Sequence, residues 1–150
     1  MTGDKYRLHN SVGYQLSMAA RIQERRLDEG LKTLGLTRQS WCVLLAVGNE
    51  GLIHPSEIAE FVGIDRTATS RMLRQMEAAK FIARTTGLGD RRMTSVKLTK
   101  IGREALAKGT PIAMSNNRVM AERLTSDEEN ELARLLRKVR EGEDIPLSGI

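Results

Sequence analysis

Cysteine, histidine and long apolar runs are scarce in this sequence, and each shortage excludes a class of protein. The 150 residues include a single cysteine, Cys42, so a disulfide within the chain is impossible and a reducing compartment is expected. The two histidines, His9 and His54, lie too far apart for a metal site, so we expect neither a metal nor a cofactor. The longest apolar run, residues 41–47, is far shorter than the ~20 residues that cross a bilayer. Because residues 1–15 also lack an apolar signal segment, we expect a cytoplasmic protein that does not enter membranes.

Residue combinations typical of enzymes are also missing. The sequence shows no P-loop, no Ser/His/Asp set and no pair of carboxylates with a histidine. Its composition, 40% apolar and 29% charged, is that of an ordered protein, and 150 residues suit one domain with a sizeable core. We therefore expect a single domain that is not an enzyme.

The positive charge of the chain is concentrated in one segment. Residues 66–100 contain nine Lys or Arg and only two Asp or Glu, whereas the other residues contain fifteen basic and seventeen acidic ones. The net charge of +5 is therefore a local excess. A basic patch of this kind is typical of proteins that bind a polyanion.

Two short helices in the middle of the chain form a helix-turn-helix pattern. Pro55 suits the first position of one helix, Gly63 suits the turn, and Asp65 suits the cap of the next helix. The apolar face of the first helix is expected to comprise Ile58, Phe61 and Val62. Short helix, tight turn and short helix together predict a helix-turn-helix motif.

Longer helices are predicted on both sides of this motif. Residues 10–33 form the first, and Thr37 caps the second. Thr99 begins another helix towards residue 121, in which Gly109 and Pro111 are expected to cause a kink or an interruption. A capping box of Thr125 and Glu128 begins the last helix. Its apolar stripe consists of Leu132, Leu135, Leu136 and Val139.

Two strands are predicted between the helix-turn-helix and the later helices. Residues 81–86 and 93–98 alternate or are rich in β-formers, and the glycine-rich segment 87–90 joins them as a hairpin. Residues 52–53 form a further candidate for a short strand.

The helix that follows Asp65 has two chemically different faces. Thr69, Met72 or Leu73, and Met76 are expected to face inward. The outward face then consists of Arg66, Thr67, Ser70, Arg71, Arg74 and Gln75. Arginine pairs with guanine, glutamine pairs with adenine, and hydroxyl groups bind bases or phosphates, so this face suits a major groove. The alternative is a solvated basic face on a structural helix, and the conjunction of turn, small polar helix start and Arg-bearing hairpin favours DNA.

Residues 90–102 contain the most specific motif of the chain. It reads Asp-Arg-Arg, then Val-x-Leu-Thr-x-x-Gly, from Asp90 to Gly102. Residues 56–59, the Ser70–Arg71 pair and residues 124–139 support the same comparison. With these motifs the chain resembles, over nearly its full length, the MarR (multiple antibiotic resistance regulator) family of bacterial winged-helix transcription factors.

The resemblance implies a fold that is mainly α with a small β-hairpin wing. A winged helix-turn-helix lobe would span residues 36–100, and dimerisation helices would span 1–35 and 101–150. The implied function is that of a homodimeric repressor, bound to a palindromic operator in double-stranded DNA and released by a small-molecule effector.

The resemblance also implies roles for individual residues. Major-groove and phosphate contacts are implied for Arg66, Thr67, Ser70, Arg71 and Arg74. Arg91 and Arg92 would contact DNA from the wing, and Asp90 would orient a wing arginine. At Lys80 many family members carry glycine, so a different turn or some strain is expected there.

Several alternatives remain open. The first and last helices carry apolar stripes that either bury against a second copy of the chain or pack on each other within one chain. A winged helix can also serve protein–protein contacts, and Cys42 can make the regulator redox-responsive. The resemblance implies an effector pocket, for which we expect a lining of Tyr14, Met18 and Trp41.

Overall fold

The computed structural model of this chain describes residues 5–87 and 93–143. They form helices and one two-stranded antiparallel hairpin, so the expected fold class is confirmed. The elements are a 3-10 turn (Leu8–Asn10), α1 (Val12–Lys32), α2 (Arg38–Gly48), α3 (Pro55–Val62), α4 (Arg66–Ala78), β1 (Ile82–Thr86), β2 (Thr94–Leu98), α5 (Lys100–Ala121) and α6 (Ser126–Val139). None of the helices described is both long and apolar enough to span a membrane.

Side-chain caps are present at the starts of the four helices for which the sequence predicts them. In each case an oxygen of the cap residue accepts a hydrogen bond from the backbone N–H three residues later, which satisfies a donor that the helix leaves free. The four cap residues are Thr37, Asp65, Thr99 and Thr125. A reciprocal bond from the cap N–H to the third helical side chain completes a capping box at α2 and at α6.

Helix α2 lies at the centre of the hydrophobic core. Val43, Leu44 and Ala46 have no exposed surface, and Trp41 retains only 4%. Helices α1, α3 and α5 and strand β2 all pack on α2. The rest of the buried cluster comprises Leu31, Leu36, Ile58, Leu73, Met76, Ile82, Val96, Leu98 and Ala105. A single core therefore joins the helix-turn-helix, the hairpin and the long flanking helices.

Helix α5 runs through Gly109 and Pro111 without a break, so the predicted interruption is wrong, whereas the alternative of a kink stays a prediction. Gly109 is buried against the Trp41 ring, and a Cβ at this position would lie 2.7 Å from Cε3 of Trp41. Its role is therefore close approach of two elements rather than helix termination. Pro111 is exposed, so its ring faces solvent, and the helix loses only the one hydrogen bond that Pro111 cannot donate to the carbonyl of Ala107.

Two smaller expectations are also wrong. Residues 52–53 form no strand; Ile53 contributes a single carbonyl, which accepts a hydrogen bond from the Val96 N–H at 2.8 Å. Phe61 is exposed, because the eight-residue helix α3 buries only Ile58 and Ala59. A helix of two turns presents too narrow a face to bury the whole stripe.

The junction between α4 and β1 contains a strained backbone. Lys80 has φ +66°, a left-handed conformation that side chains with a Cβ rarely adopt. The N–H of Phe81 bonds to the carbonyl of Met76, and the hydroxyl of Thr99 donates to the carbonyl of Lys80. These bonds hold the turn in place although the residue there is not glycine. The positive φ of Lys80 agrees with the strain expected at this position.

We expect Lys80→Gly to stabilise the fold. Glycine adopts the left-handed conformation without a Cβ clash, so the free energy of unfolding should rise by about 1 kcal/mol. Urea unfolding followed by circular dichroism measures this change. Gly63→Ala is the matched control, because Gly63 has φ +79° and no atom within 4 Å of its Cβ position. It should lower the stability, and a Lys80→Gly variant no more stable than the native chain would show that the turn is unstrained.

Candidate nucleic-acid interface

A three-residue turn, Gly63 to Asp65, sets the angle between α3 and α4. Gly63 takes the left-handed conformation, and the N–H groups of Gly63 and Ile64 both bond to the carbonyl of Ala59. Ile64 is buried, so it anchors the turn to the core. Asp65 then caps α4, with its carboxylate 2.6 Å from the N–H of Ala68. The predicted helix-turn-helix is confirmed.

Helix α4 has the two faces that the sequence predicts. Thr69, Leu73 and Met76 are buried, and the Thr69 hydroxyl is satisfied by the carbonyl of Asp65 at 2.8 Å. Of the alternatives Met72 and Leu73, Leu73 is the buried residue, and Met72 is half-buried. The six residues of the outward face are all exposed: Arg66, Thr67, Ser70, Arg71, Arg74 and Gln75.

The arginines of this face are available to an external partner. Arg66, Arg71 and Arg74 form no hydrogen bond or ion pair with any residue that the structure describes. By contrast, Arg38 binds Glu24 at 2.8 Å and Asp28 at 3.0 Å. The exposed face of α4 therefore combines unpaired cations with hydroxyl and amide groups, which is the chemistry that binds phosphates and base edges.

The hairpin stands next to α4, with Ile82 opposite Leu98 and Thr86 opposite Thr94. The wing residues predicted from the sequence, Asp90, Arg91 and Arg92, lie outside the described residues, as does most of the glycine-rich turn. A two-stranded hairpin beside the second helix of a helix-turn-helix is the arrangement of a winged helix.

Comparison with known proteins agrees with this geometry. A family model described as MarR family matches residues 34–93, which include the helix-turn-helix and the first strand of the hairpin. A crystal structure of a mutant of Escherichia coli MarR with operator DNA is 27% identical, with a TM-score of 0.78 over 85% of this chain and 92% of that one. The chain is thus similar to the MarR family in its helix-turn-helix region. Its helix-turn-helix and hairpin form a winged helix like that of the MarR structure, and members of the MarR family are regulators of transcription rather than enzymes.

Two further relatives extend the comparison. An uncharacterised HTH-type transcriptional regulator, YwaE of Bacillus subtilis strain 168, is 27% identical over 121 residues, which are 81% of this chain and 71% of that protein. The organohalide-sensing regulator RdhR, solved in a 2,4-dichlorophenol-bound form, is 21% identical, with a TM-score of 0.84 over 99% of this chain and 88% of that one. The second likeness shows the shared fold.

An ion pair between α4 and the wing was not anticipated from the sequence. Glu77 Oε1 lies 2.9 Å from a terminal nitrogen of Arg84, and Glu77 Oε2 accepts the backbone N–H of Arg84 at 3.0 Å. The side-chain hydrogen bond from Arg84, followed by the backbone bond, lowers the pKa of Glu77. A lowered carboxylate pKa means that this pair stabilises the fold above the ordinary pKa of glutamate, and that the contribution is lost as the pH falls through the lowered value.

The three residues expected around an effector do not share one environment. Trp41 is buried against Gly109, whereas Tyr14 and Met18 are half-buried on α1. The Tyr14 ring contacts His9, with ring centroids 4.8 Å apart. The predicted effector site stays a prediction.

Two cavities lie elsewhere on the lobe. One of about 400 Å³ lies between the start of α3, the start of α4 and β2, and Arg66 and Ser70 contribute to its wall. A second, which we name the α2–α5 cavity, has a volume of about 670 Å³. Its lining comprises Val47, Gly48, Asn49, Ile53, Val96, Lys97, Leu98, Arg103, Leu106, Ala107 and Thr110. Within residues 5–87 and 93–143, no three His, Cys, Asp or Glu side chains come together as a metal site.

Cys42 lies half-buried on α2, beside the core. Burial raises the pKa of the Cys42 thiol, and the positive charge of Arg38 only partly opposes this effect. A thiol with a raised pKa is mostly protonated at neutral pH and reacts slowly with oxidants. This environment disfavours the redox-responsive alternative.

We expect Cys42 of the folded protein to react slowly with a thiol reagent. At neutral pH its labelling rate should be at least about tenfold lower than that of the same chain in urea, because burial limits both access and thiolate formation. Absorbance of released thionitrobenzoate gives both rates. Labelling of the folded chain as fast as of the unfolded chain would restore the redox-responsive interpretation.

Proposed function

We propose that this chain is a MarR-family regulator, a homodimeric repressor that binds a palindromic operator in double-stranded DNA. A small-molecule effector releases it. The observation that carries the proposal is the exposed face of α4, on which Arg66, Arg71 and Arg74 are free of partners among the described residues. The similarity to MarR, a mutant of which was solved with operator DNA, supports the same assignment.

Each residue of this face has a proposed role. Arg71 and Arg74 read bases or bind phosphates, and Thr67 and Ser70 allow close approach of the helix start to the groove. Arg66 and Gln75 complete the contact at either end of the face. Arg91 and Arg92 add wing contacts, with Asp90 orienting one of them, as the family motif implies.

The dimer proposal rests on unburied apolar surface. The α6 stripe of Leu132, Leu135, Leu136 and Val139 is exposed, and no residue of α6 is buried. The alternative in which the first and last helices bury these stripes on each other within one chain is therefore wrong. A second copy supplies the missing surface, and two-fold symmetry brings two α4 helices to half-sites roughly 34 Å apart.

The α2–α5 cavity is a candidate for the effector site. It is walled by apolar groups of α2, β2 and α5, and Lys97 and Arg103 add positive charge, so it suits a small aromatic or anionic molecule. A ligand wedged between α5 and the wing would change their separation, and with it the spacing of the two DNA-binding lobes.

A reducing compartment and a DNA partner support a cytoplasmic location. The rival role, a winged helix for protein–protein contact, does not require a helix face with three unpaired arginines. The DNA-binding role explains that face directly.

We expect Arg71→Ala and Arg74→Ala each to weaken binding by roughly 1–3 kcal/mol where the side chain reads a base. A side chain that binds a phosphate should instead lower the salt slope of log K by about 0.9. Fluorescence anisotropy against the upstream intergenic DNA of the gene, beside a scrambled duplex and at two salt concentrations, measures both. Arg25→Ala is the control, because Arg25 is an exposed α1 arginine that pairs only loosely with Glu29 at 3.7 Å. Unchanged affinity in both α4 variants would contradict the assignment of α4 as the recognition helix.

We expect a ligand of the α2–α5 cavity to lose its effect in Ala107→Phe, since Ala107 is exposed on the cavity wall and the larger ring fills the space. A thermal-shift screen of small aromatic acids and phenols identifies ligands of the native chain. Tyr14→Ala is the comparison variant, because it disrupts the site predicted around Tyr14, Met18 and Trp41. Shifts lost in Tyr14→Ala and kept in Ala107→Phe would favour that site, and a screen without hits would count against both.

A further inference from the structure

The hairpin is attached along both of its outer edges, by β1 to α4 and by β2 to the loop before α3. Arg84 and Val96 are directly opposite in the ladder, and neither N–H points to the other strand. The Val96 N–H bonds to the carbonyl of Ile53 at 2.8 Å, and the Arg84 N–H bonds to Glu77 Oε2 at 3.0 Å. A two-stranded hairpin is barely stable alone. Burial of Ile82, Val96 and Leu98 holds the hairpin on the core, and these two edge contacts add directional bonds that help to fix its orientation.

The contact on the α4 side is made by charged groups. Both oxygens of Glu77 are used by Arg84, one by the guanidinium at 2.9 Å and one by the backbone. The two side chains are only 38% and 29% exposed. The Glu77 carboxylate accepts from both the backbone and the side chain of Arg84, so it fixes both the position and the direction of β1 relative to α4.

Arg84 differs from the arginines of the outward face of α4. Arg66, Arg71 and Arg74 have no partner among the described residues, whereas Arg84 is paired, partly covered, and has its Nε shielded from solvent. An arginine whose charge is already balanced by a carboxylate contributes little to counterion release from DNA. Arg84 thus lies in the basic segment of the sequence, but its guanidinium is not free to bind DNA phosphates.

We propose that Glu77 and Arg84 act as a positioning pair, which holds the wing at the angle to α4 that DNA binding requires. Neither residue contacts DNA. The inference rests on the proposed DNA-binding function and adds to it the residues that align the two contact elements. A wing free of this edge contact would sample several orientations, and only a fraction of the molecules would be ready to bind.

Glu77→Gln separates a positioning role from a purely electrostatic one, because the two predict changes in DNA affinity of opposite sign. Removing a negative charge from the recognition helix should tighten DNA binding if charge alone matters. If the pair positions the wing, affinity should instead fall about tenfold, as for a wing correctly placed about one tenth of the time. Glu60→Gln is the matched control, since Glu60 is an exposed acid on α3 that makes the same change in charge.

Three measurements on the full-length protein test the proposal. The probe is a duplex selected by the native protein from a random-sequence pool, and anisotropy at several salt concentrations gives affinity and salt slope. Hydroxyl-radical footprinting then separates the central contacts from the flanking ones. Hydrogen exchange on the free protein reports the Arg84 and Val96 amides independently of DNA.

The proposal expects four results. Glu77→Gln and Arg84→Met each weaken binding with an unchanged salt slope, and the double variant is no weaker than either, because the pair acts as a unit. Flanking protection is lost while central protection remains, which a smaller folded fraction would not produce. The Arg84 amide exchanges faster in Glu77→Gln than in Glu60→Gln.

Other results overturn it. If Glu77→Gln binds as tightly as Glu60→Gln, the pair does not position the wing. If Arg84→Met lowers the salt slope by about 0.9, Arg84 is a phosphate contact instead. If the native protein selects no DNA, the proposed function fails, and the role in DNA binding fails with it. Faster exchange of the Arg84 amide in Glu77→Gln would then still identify the pair as a structural clamp, which distinguishes the two failures.

Discussion

Burial of α2 is the constraint on which the rest of this structure depends. The helix is apolar around much of its circumference, and helices from both the DNA-binding lobe and the flanking arms pack on it. Interiors packed at crystal-like density transmit displacements rather than absorb them. The fit of the Trp41 ring against Gly109 therefore ties the position of the lobe to the position of α5. Because the contact between Trp41 and Gly109 is tight, a change in the angle of α5 must also move α2 at that point.

The same core determines which side of α4 meets a partner. Thr69, Leu73 and Met76 are held inside, and helical geometry then leaves Arg71 and Arg74 outside. The acid that would have weakened this positive face, Glu77, is engaged by Arg84. Packing and charge pairing thus act together: one selects the face, and the other keeps its arginines unopposed by the nearest carboxylate.

Local patterns in the sequence predicted most of this architecture. The caps at Thr37, Asp65, Thr99 and Thr125 are short-range hydrogen bonds, so residue type and spacing suffice to find them. The expected interruption of α5 was wrong because it concerned residues whose role depends on distant neighbours. Gly109 and Pro111 resemble helix breakers in isolation, but tertiary packing on Trp41 and an exposed proline ring allow the helix to continue.

The Glu77–Arg84 pair shows what sequence patterns omit. The two residues are seven apart, and they meet only because the chain reverses through the left-handed turn at Lys80. No helical or strand periodicity links positions across such a turn. The sequence therefore gives the net charge of the basic segment correctly. Only the three-dimensional structure shows which of its arginines are already paired within the chain. The DNA contacts and the wing residues 90–92 remain predictions from residue type and family motif.

The exposed stripe on α6 has a consequence for how such a regulator responds to its own abundance. In the proposed dimer this stripe is buried only on association, so folding and association are linked and the apparent stability rises with protein concentration. While most chains are monomeric, the concentration of dimer rises with the square of the chain concentration. Occupancy of DNA by the dimer then rises more steeply than the amount of chain. A modest change in expression would produce a sharper change in transcription than a monomeric binder could give.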